Sequence, residues 1–162
     1  MRASGRALLA FIAALVACSA LAMASGWKHY GNARFQYWID IPPNFSRLEE
    51  SENGDGGVSS SSDGTAELSV WGGYLDEGDF AAEIEWRTSQ DRGDGWSITY
   101  QRQQAKWAVW SGAKGGRIFY ERAIPVCDGA SAYFRLEYDR KQVKAFDPVI
   151  SRLVKSLRSG DC

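Results

Sequence analysis

Glu52, Asn53, Asp55 and Asp63 lie in a short run of glycine and serine, SENGDGGVSSSSDG, residues 51–64. Oxygen donors at that density are the raw material of a calcium loop. An EF-hand loop needs donors at positions 1, 3 and 5, glycine at 6 and a bidentate glutamate at 12. With Gly56 at the glycine position, Asn53 and Asp55 fall in register, but Ser51 and Ser62 take the first and last places. The closing carboxylate is missing. The Asn-Gly and Asp-Gly pairs have instead the composition of tight turns. The segment is therefore expected to form a turn, a strand, an Asp63-Gly64 turn and a second strand with Ala66, Leu68 and Val70 inward, and to hold no metal.

The other reactive side chains are dispersed. His29 is the single histidine, in an expected strand beside Trp27 and Tyr30. The hydroxyls of Ser59 to Ser62 have no base in the pattern, and Glu83 and Glu85, two apart on a helix, point to different faces and are expected to be solvated. There is no G-x-S-x-G, H-E-x-x-H, C-x-x-C or phosphate-binding loop. The expectation is no catalytic residue and no cofactor. A hydrolase built on carboxylates alone stays open as an alternative, because Asp and Glu are plentiful.

Aromatic side chains are the stronger signal. Seven tryptophans fall between Trp27 and Trp110. Strand alternation puts Trp107 and Trp110 on opposite sides, and likewise Tyr37 and Trp38, so some rings must point out. Trp38, Trp107 and Trp110 are taken as a partner-binding surface, since tryptophan is favoured where partners dock. The expected partner is another cell-envelope protein. The alternative is a glycan or peptidoglycan stacked on the exposed rings.

The N-terminus indicates export. Arg2 and Arg6 precede an uncharged apolar run, and Ala22-Met23-Ala24 is a small-x-small cleavage site, so residues 1–24 are read as a signal peptide and 25–162 as one α+β domain. Leu15-Val16-Ala17-Cys18 offers a second route, lipidation at Cys18, which would hold the protein on a membrane; otherwise it is periplasmic or secreted. Without residues 1–24, 17 basic residues face 20 acidic ones, a net charge of about −3. No basic stripe is evident, which argues against nucleic acid. Cys127 and Cys162 remain, and an even pair in an oxidising compartment is expected to form a disulfide.

Strand patterns fill most of the domain. GWKHYG and RFQYWIDIP form an expected hairpin around Gly31-Asn32-Ala33, with Phe35, Tyr37 and Ile39 on one face. A helix is expected from Asp76 to Gly93, with Phe80 and Ile84 inward and Glu83 paired to Arg87. Four strands follow, ending in SAYFRLEYD. Phe146, Ile150, Leu153 and Leu157 then recur with helical period, Asp147 as cap and Pro148 at the first position. Four strands, a helix, four strands and a helix give an antiparallel sheet, a β-meander of about six to eight strands, flanked by two helices.

The aromatic strand ending in IDIPPNF, the NGDGG and DGTAELSVWG segments, the meander and the final FDPVISRLVKSL helix resemble the PsbP-like group of small secreted bacterial proteins. That group is in turn similar to a nuclear-import factor that binds the GTPase Ran and to the DcrB-like lipoproteins. The resemblance spans residues 27–158. It implies an α/β/α sandwich and a non-enzymatic binding or assembly role, and it transfers no ligand residue to this chain.

Overall fold

The computed structural model describes residues 26–162; the cleavage site and Cys18 lie outside them. No helix among the described residues is long and apolar enough to cross a membrane.

The chain begins with a hairpin, β1 (Lys28–Asn32) and β2 (Tyr37–Ile41), paired antiparallel. Its turn lies later than the glycine suggested. Asn32 Oδ1 accepts the Phe35 N–H at 2.9 Å, and Gln36 takes a positive φ of 51°. The short polar side chain thus supplies a local turn that the glycine alone does not. Gly31 instead lies under the Trp38 ring, where a Cβ would collide with it.

A two-residue strand β3 (Glu49–Glu50) precedes β4 (Gly56–Ser60) and β5 (Ala66–Tyr74). The turn-and-strand expectation for residues 51–64 is met. Gly54 and Gly64 adopt φ of 70° and 69°. Asp55 accepts from Ser51 Oγ and Asn53 Nδ2, and Asp63 accepts from Ser61 Oγ and the Thr65 N–H and hydroxyl. Those donors pull the Asp63 carboxyl down to about 2. Gly56 is glycine for closeness rather than for φ: a Cβ there would meet the Val70 carbonyl.

Helix α1 (Phe80–Gly93) starts at Asp79, whose side chain accepts the Ala82 N–H at 2.8 Å, and stops before Gly95, φ 87°. Four strands follow: β6 (Ser97–Gln104), β7 (Trp107–Lys114), β8 (Arg117–Pro125) and β9 (Ala130–Asp139). Helix α2 (Val143–Ser156) and a two-residue strand β10 (Arg158–Ser159) complete the chain. Helix α2 begins about one turn earlier than Asp147 and Pro148 indicated. Pro148 lies inside it and removes one ladder hydrogen bond. Burial of Phe146 against Tyr138, ring centroids 4.8 Å apart, holds the first turn nonetheless.

Seven strands form one antiparallel sheet in the order β3-β4-β5-β9-β8-β7-β6, and β1-β2-β10 form a second. Alternation divides the large sheet into two faces. Ala66, Leu68 and Val70 of β5 and Ala132, Phe134 and Leu136 of β9 pack with Tyr37 and Ile39 of β2 and Phe146, Ile150 and Leu153 of α2. Ala108, Trp110, Phe119, Ala123 and Tyr133 pack on the other face against Ile84 of α1. The α+β sandwich is as the sequence suggested, with five strands before α1 rather than four. The extra strands, two residues each, are too short to show a period.

Candidate functional site

Three places bring polar or aromatic side chains together, and the sheet decides which can meet a ligand. The first lies beneath α1. Arg135 of β9 sits directly across from Glu121 of β8. Its Nη1 donates to Asp91 Oδ1 at 2.7 Å and to Glu121 Oε2 at 2.9 Å, and its Nε donates to Glu137 Oε1 at 2.8 Å. Asp91 Oδ2 also accepts from Trp110 Nε1 at 2.9 Å. Arg87 pairs with Glu83 at 2.9 Å and lies over the Tyr133 ring, 4.0 Å to its centroid.

Helix α1 has few apolar residues on its sheet side, so charge and aromatic contact do the anchoring. This corrects the sequence reading of Glu83: the residue is 2% exposed rather than solvated. Burial pushes the Glu121 carboxyl up to about 7, against the pull of Arg135, and the surrounding carboxylates raise the Arg135 guanidinium. A shallow groove lined by Trp71, Trp86, Gln90 and Asp91 reaches this cluster. Its two inner carboxylates share one guanidinium nitrogen, which makes them a tie between helix and sheet.

The second place is the outer side of the small sheet. Trp38 is 45% exposed there. His29 Nδ1 lies 2.7 Å from Asp40 Oδ1, and Arg152 holds Asp40 Oδ2 at 3.0 Å while lying 4.4 Å from the Trp27 ring centroid. His29 thus has a carboxylate partner that its isolation in sequence concealed. A groove of about 600 Å³ between β1 and β3, lined by Lys28, Tyr30, Arg47, Leu48 and Glu50, opens beside it. Its charges are mixed, and Lys28 Nζ is engaged by the Phe45 carbonyl at 3.1 Å.

The third place is the far half of the large sheet, on the side opposite α1. The register aligns Arg102 of β6 with Val109 of β7, and Val109 with Arg122 of β8. The next rows carry Tyr100, Ser111 and Tyr120 and, towards the hairpin tip, Gln104 and Trp107. Helix α2 packs chiefly on β2 and β9, β10 reaches β8, and Trp107 and Tyr120 rest partly against the main core, with Val109 buried between the strands' outer side chains. Tyr100 is 45% exposed, Arg102 and Gln104 are exposed, and Trp107, Tyr120 and Arg122 are half-buried.

Arg122 lies over Trp107, 5.7 Å to the centroid. No ion pair among the described residues includes it, and its buried Nε has no hydrogen-bond partner. Burial lowers the pKa of this guanidinium and raises that of the neighbouring Tyr120 phenol. Arginine stays charged at neutral pH even so. A cation set among rings with no carboxylate opposite it is the chemistry of a recognition surface rather than of a core.

Of the three tryptophans expected to form one surface, Trp38 and Trp107 lie on different sheets. Trp110 is a correction: it is 0% exposed, packed under α1 and bonded to Asp91. Alternation separates it from Trp107, but α1 fixes which of the two is inside. Arg102, Tyr100, Tyr120 and Arg122 were missed. Their signal was a charge imbalance, since residues 97–125 carry five basic side chains and one acidic one.

Cys127 and Cys162 lie at disulfide distance, 2.06 Å between sulfurs, and tie the C-terminus to the turn between β8 and β9.

No family model matches the chain, and no curated protein matches it in sequence. Solved structures do match. One is the Ran-binding protein Mog1p of Saccharomyces cerevisiae, with a TM-score of 0.62 and 10% identity over 84% of this chain and 96% of that one. Another is the cyanobacterial PsbP (CyanoP) of Synechocystis sp. PCC 6803, with a TM-score of 0.61 and 13% identity over 90% of this chain and 98% of that one. At such identities the likeness is one of fold, and it is the PsbP-like sandwich that the sequence patterns implied.

Proposed function

We propose that the chain is an exported cell-envelope protein, a non-enzymatic binding or accessory module that docks a partner polypeptide on the open face of β6, β7 and β8. One observation carries the reading: Arg122, half-buried beside Trp107 and Tyr120, has no ion-pair partner among the described residues, and its Nε has no hydrogen-bond partner there. Interfaces are enriched in tryptophan, tyrosine and arginine at their centres. The charged start, apolar run and small-x-small site support export through residues 1–24, and the Cys127–Cys162 pair suits an oxidising compartment. Modification at Cys18 would add a membrane anchor to the same module. Stacking of a glycan on Tyr100 and Trp107 uses the rings but leaves both arginines unanswered.

A photo-crosslinking amino acid at position 100 or 107, with position 85 on the exposed side of α1 as control, tests the docking face in the exporting cell. The expected result is one discrete adduct from 100 and 107, absent from 85 and lost in Arg122→Glu, whose identified partner then binds the purified protein. Equal adducts from all three positions, or none from 100 and 107, would overturn the reading.

A further inference from the structure

Charge is unevenly distributed along the chain. Residues 49–94 contain thirteen acidic side chains and two basic ones. Residues 97–125 contain Arg102, Lys106, Lys114, Arg117 and Arg122 against a single acid, Glu121. Glu121 points to the α1 side and is held there by Arg135. Lys114 and Arg117 are engaged by the Asp94 and Thr65 carbonyls, so the open face of β6, β7 and β8 carries Arg102 and Arg122 and, among the described residues, no carboxylate. Arg102 and Arg122 flank Val109 across three strands, about 10 Å apart at their Cα atoms by strand spacing. Lys106 adds a charge at the turn between β6 and β7.

We propose that this face receives an acidic segment of its partner, carrying carboxylates to Arg102 and Arg122 and apolar side chains to Tyr100 and Trp107. The inference rests on the docking reading above and gives the occupant its chemistry. One observation and two geometric principles select a polypeptide carboxylate. The guanidinium fork matches a carboxylate through two parallel hydrogen bonds. Arg122 has already lost part of its water to the surrounding rings, so less must be removed when an anion arrives. An extended segment sets alternate side chains on one side, about 7 Å apart, so two carboxylates in one short stretch can reach both arginines. A nucleic acid, whose affinity comes from a row of phosphate contacts, would find two arginines and one lysine beside an apolar floor.

The test is fluorescence anisotropy of a labelled peptide with glutamate at alternate positions and leucine between them. It is titrated with the purified, disulfide-intact protein beside a glutamine-for-glutamate control. The glutamate peptide is expected to bind saturably and to weaken as salt rises to about 0.15 M. Binding should fall at least about tenfold for the glutamine peptide, and by a similar factor for Arg122→Gln and for Arg102→Gln. Thermal melts of both variants check that they fold, and Arg122→Lys, which keeps the charge and loses the fork, should fall between. Equal binding of the two peptides, tighter binding of polygalacturonate or of a single-stranded oligonucleotide, or a face occupied by a second copy in sedimentation, would overturn the assignment. If crosslinking from position 107 still finds its partner while the glutamate peptide does not bind, the acidic assignment alone fails. If both are absent, the docking reading falls with it.

Discussion

Arg135 and Arg122 stand on neighbouring strands and point to opposite faces of one sheet. Arg135 is closed in by Asp91, Glu121 and Glu137, with Trp96 and Phe119 beneath its plane. Arg122 lies over the Trp107 ring, and no ion pair among the described residues includes it. Burial opposes charge at both places, but only at Arg135 does the fold supply the compensation. The lesson is that ring contact alone does not make an arginine structural. An arginine whose partners are all internal holds the fold, and one whose partner is missing is free to hold something else.

The largest effect is expected from breaking the closed side. Arg135→Met should lower unfolding stability in urea by about 3–5 kcal/mol, because Asp91 and Glu121 would be left buried without their cation. A loss below about 1 kcal/mol would show that the cluster is not the tie between α1 and the sheet.

Cys162→Ser removes a covalent restraint of sequence separation 35, and should lower stability by roughly 4 kcal/mol at most, since native-state strain and residual unfolded structure reduce the ideal figure. Non-reducing peptide mapping gives the direct check of the bridge. This variant should weaken the fold without the specific effect on binding expected at Arg122.

The closed side should also show in the pH dependence. Burial holds the Glu121 carboxyl near pKa 7, above its ordinary value of 4.5. Between those values the native state keeps a proton that the unfolded chain has lost. The contribution of Glu121 is therefore fully present below about pH 4.5 and falls away as pH rises through about 7, by on the order of 1–3 kcal/mol. Glu121→Gln cannot titrate, and its melting temperature should lack that decline. Parallel profiles for the two proteins would place the carboxylate in a more polar setting than its burial implies. Arg102→Gln, on the exposed edge of the open face, should change stability by less than about 0.5 kcal/mol in either direction.

Much of this fold was legible from alternation and turn chemistry. Ala66, Leu68 and Val70 face inward as their spacing required, Gly64 closes its turn, and Phe146, Ile150 and Leu153 form the buried stripe of α2. Periodicity establishes which residues share a face, but it does not say which face is covered. Trp107 and Trp110 were separable on that ground, yet only the packing of Ile84 of α1 on the sheet puts Trp110 inside. Glu83 went astray for a related reason. A glutamate is expected at the surface, but a helix with little apolar side chain to offer buries its stem and pairs it with Arg87 one turn on. The open face needed two things together, the register that aligns Arg102, Val109 and Arg122 and the charge imbalance of residues 97–125. The second was present in the composition of the segment and was hidden by the acidic balance of the whole chain.

Urea denaturation of Arg122→Met and Arg135→Met side by side tests the contrast most directly, with binding of the glutamate peptide read on each folded protein. Arg122→Met is expected to stay within about 1 kcal/mol of the parent, or to gain stability, because it removes a half-buried cation that the described fold does not pair, while its peptide binding collapses. Arg135→Met should lose several times as much stability and, where folded, keep its binding. Equal destabilisation of the two variants, with binding following stability alone, would contradict that contrast and make Arg122 one more structural arginine.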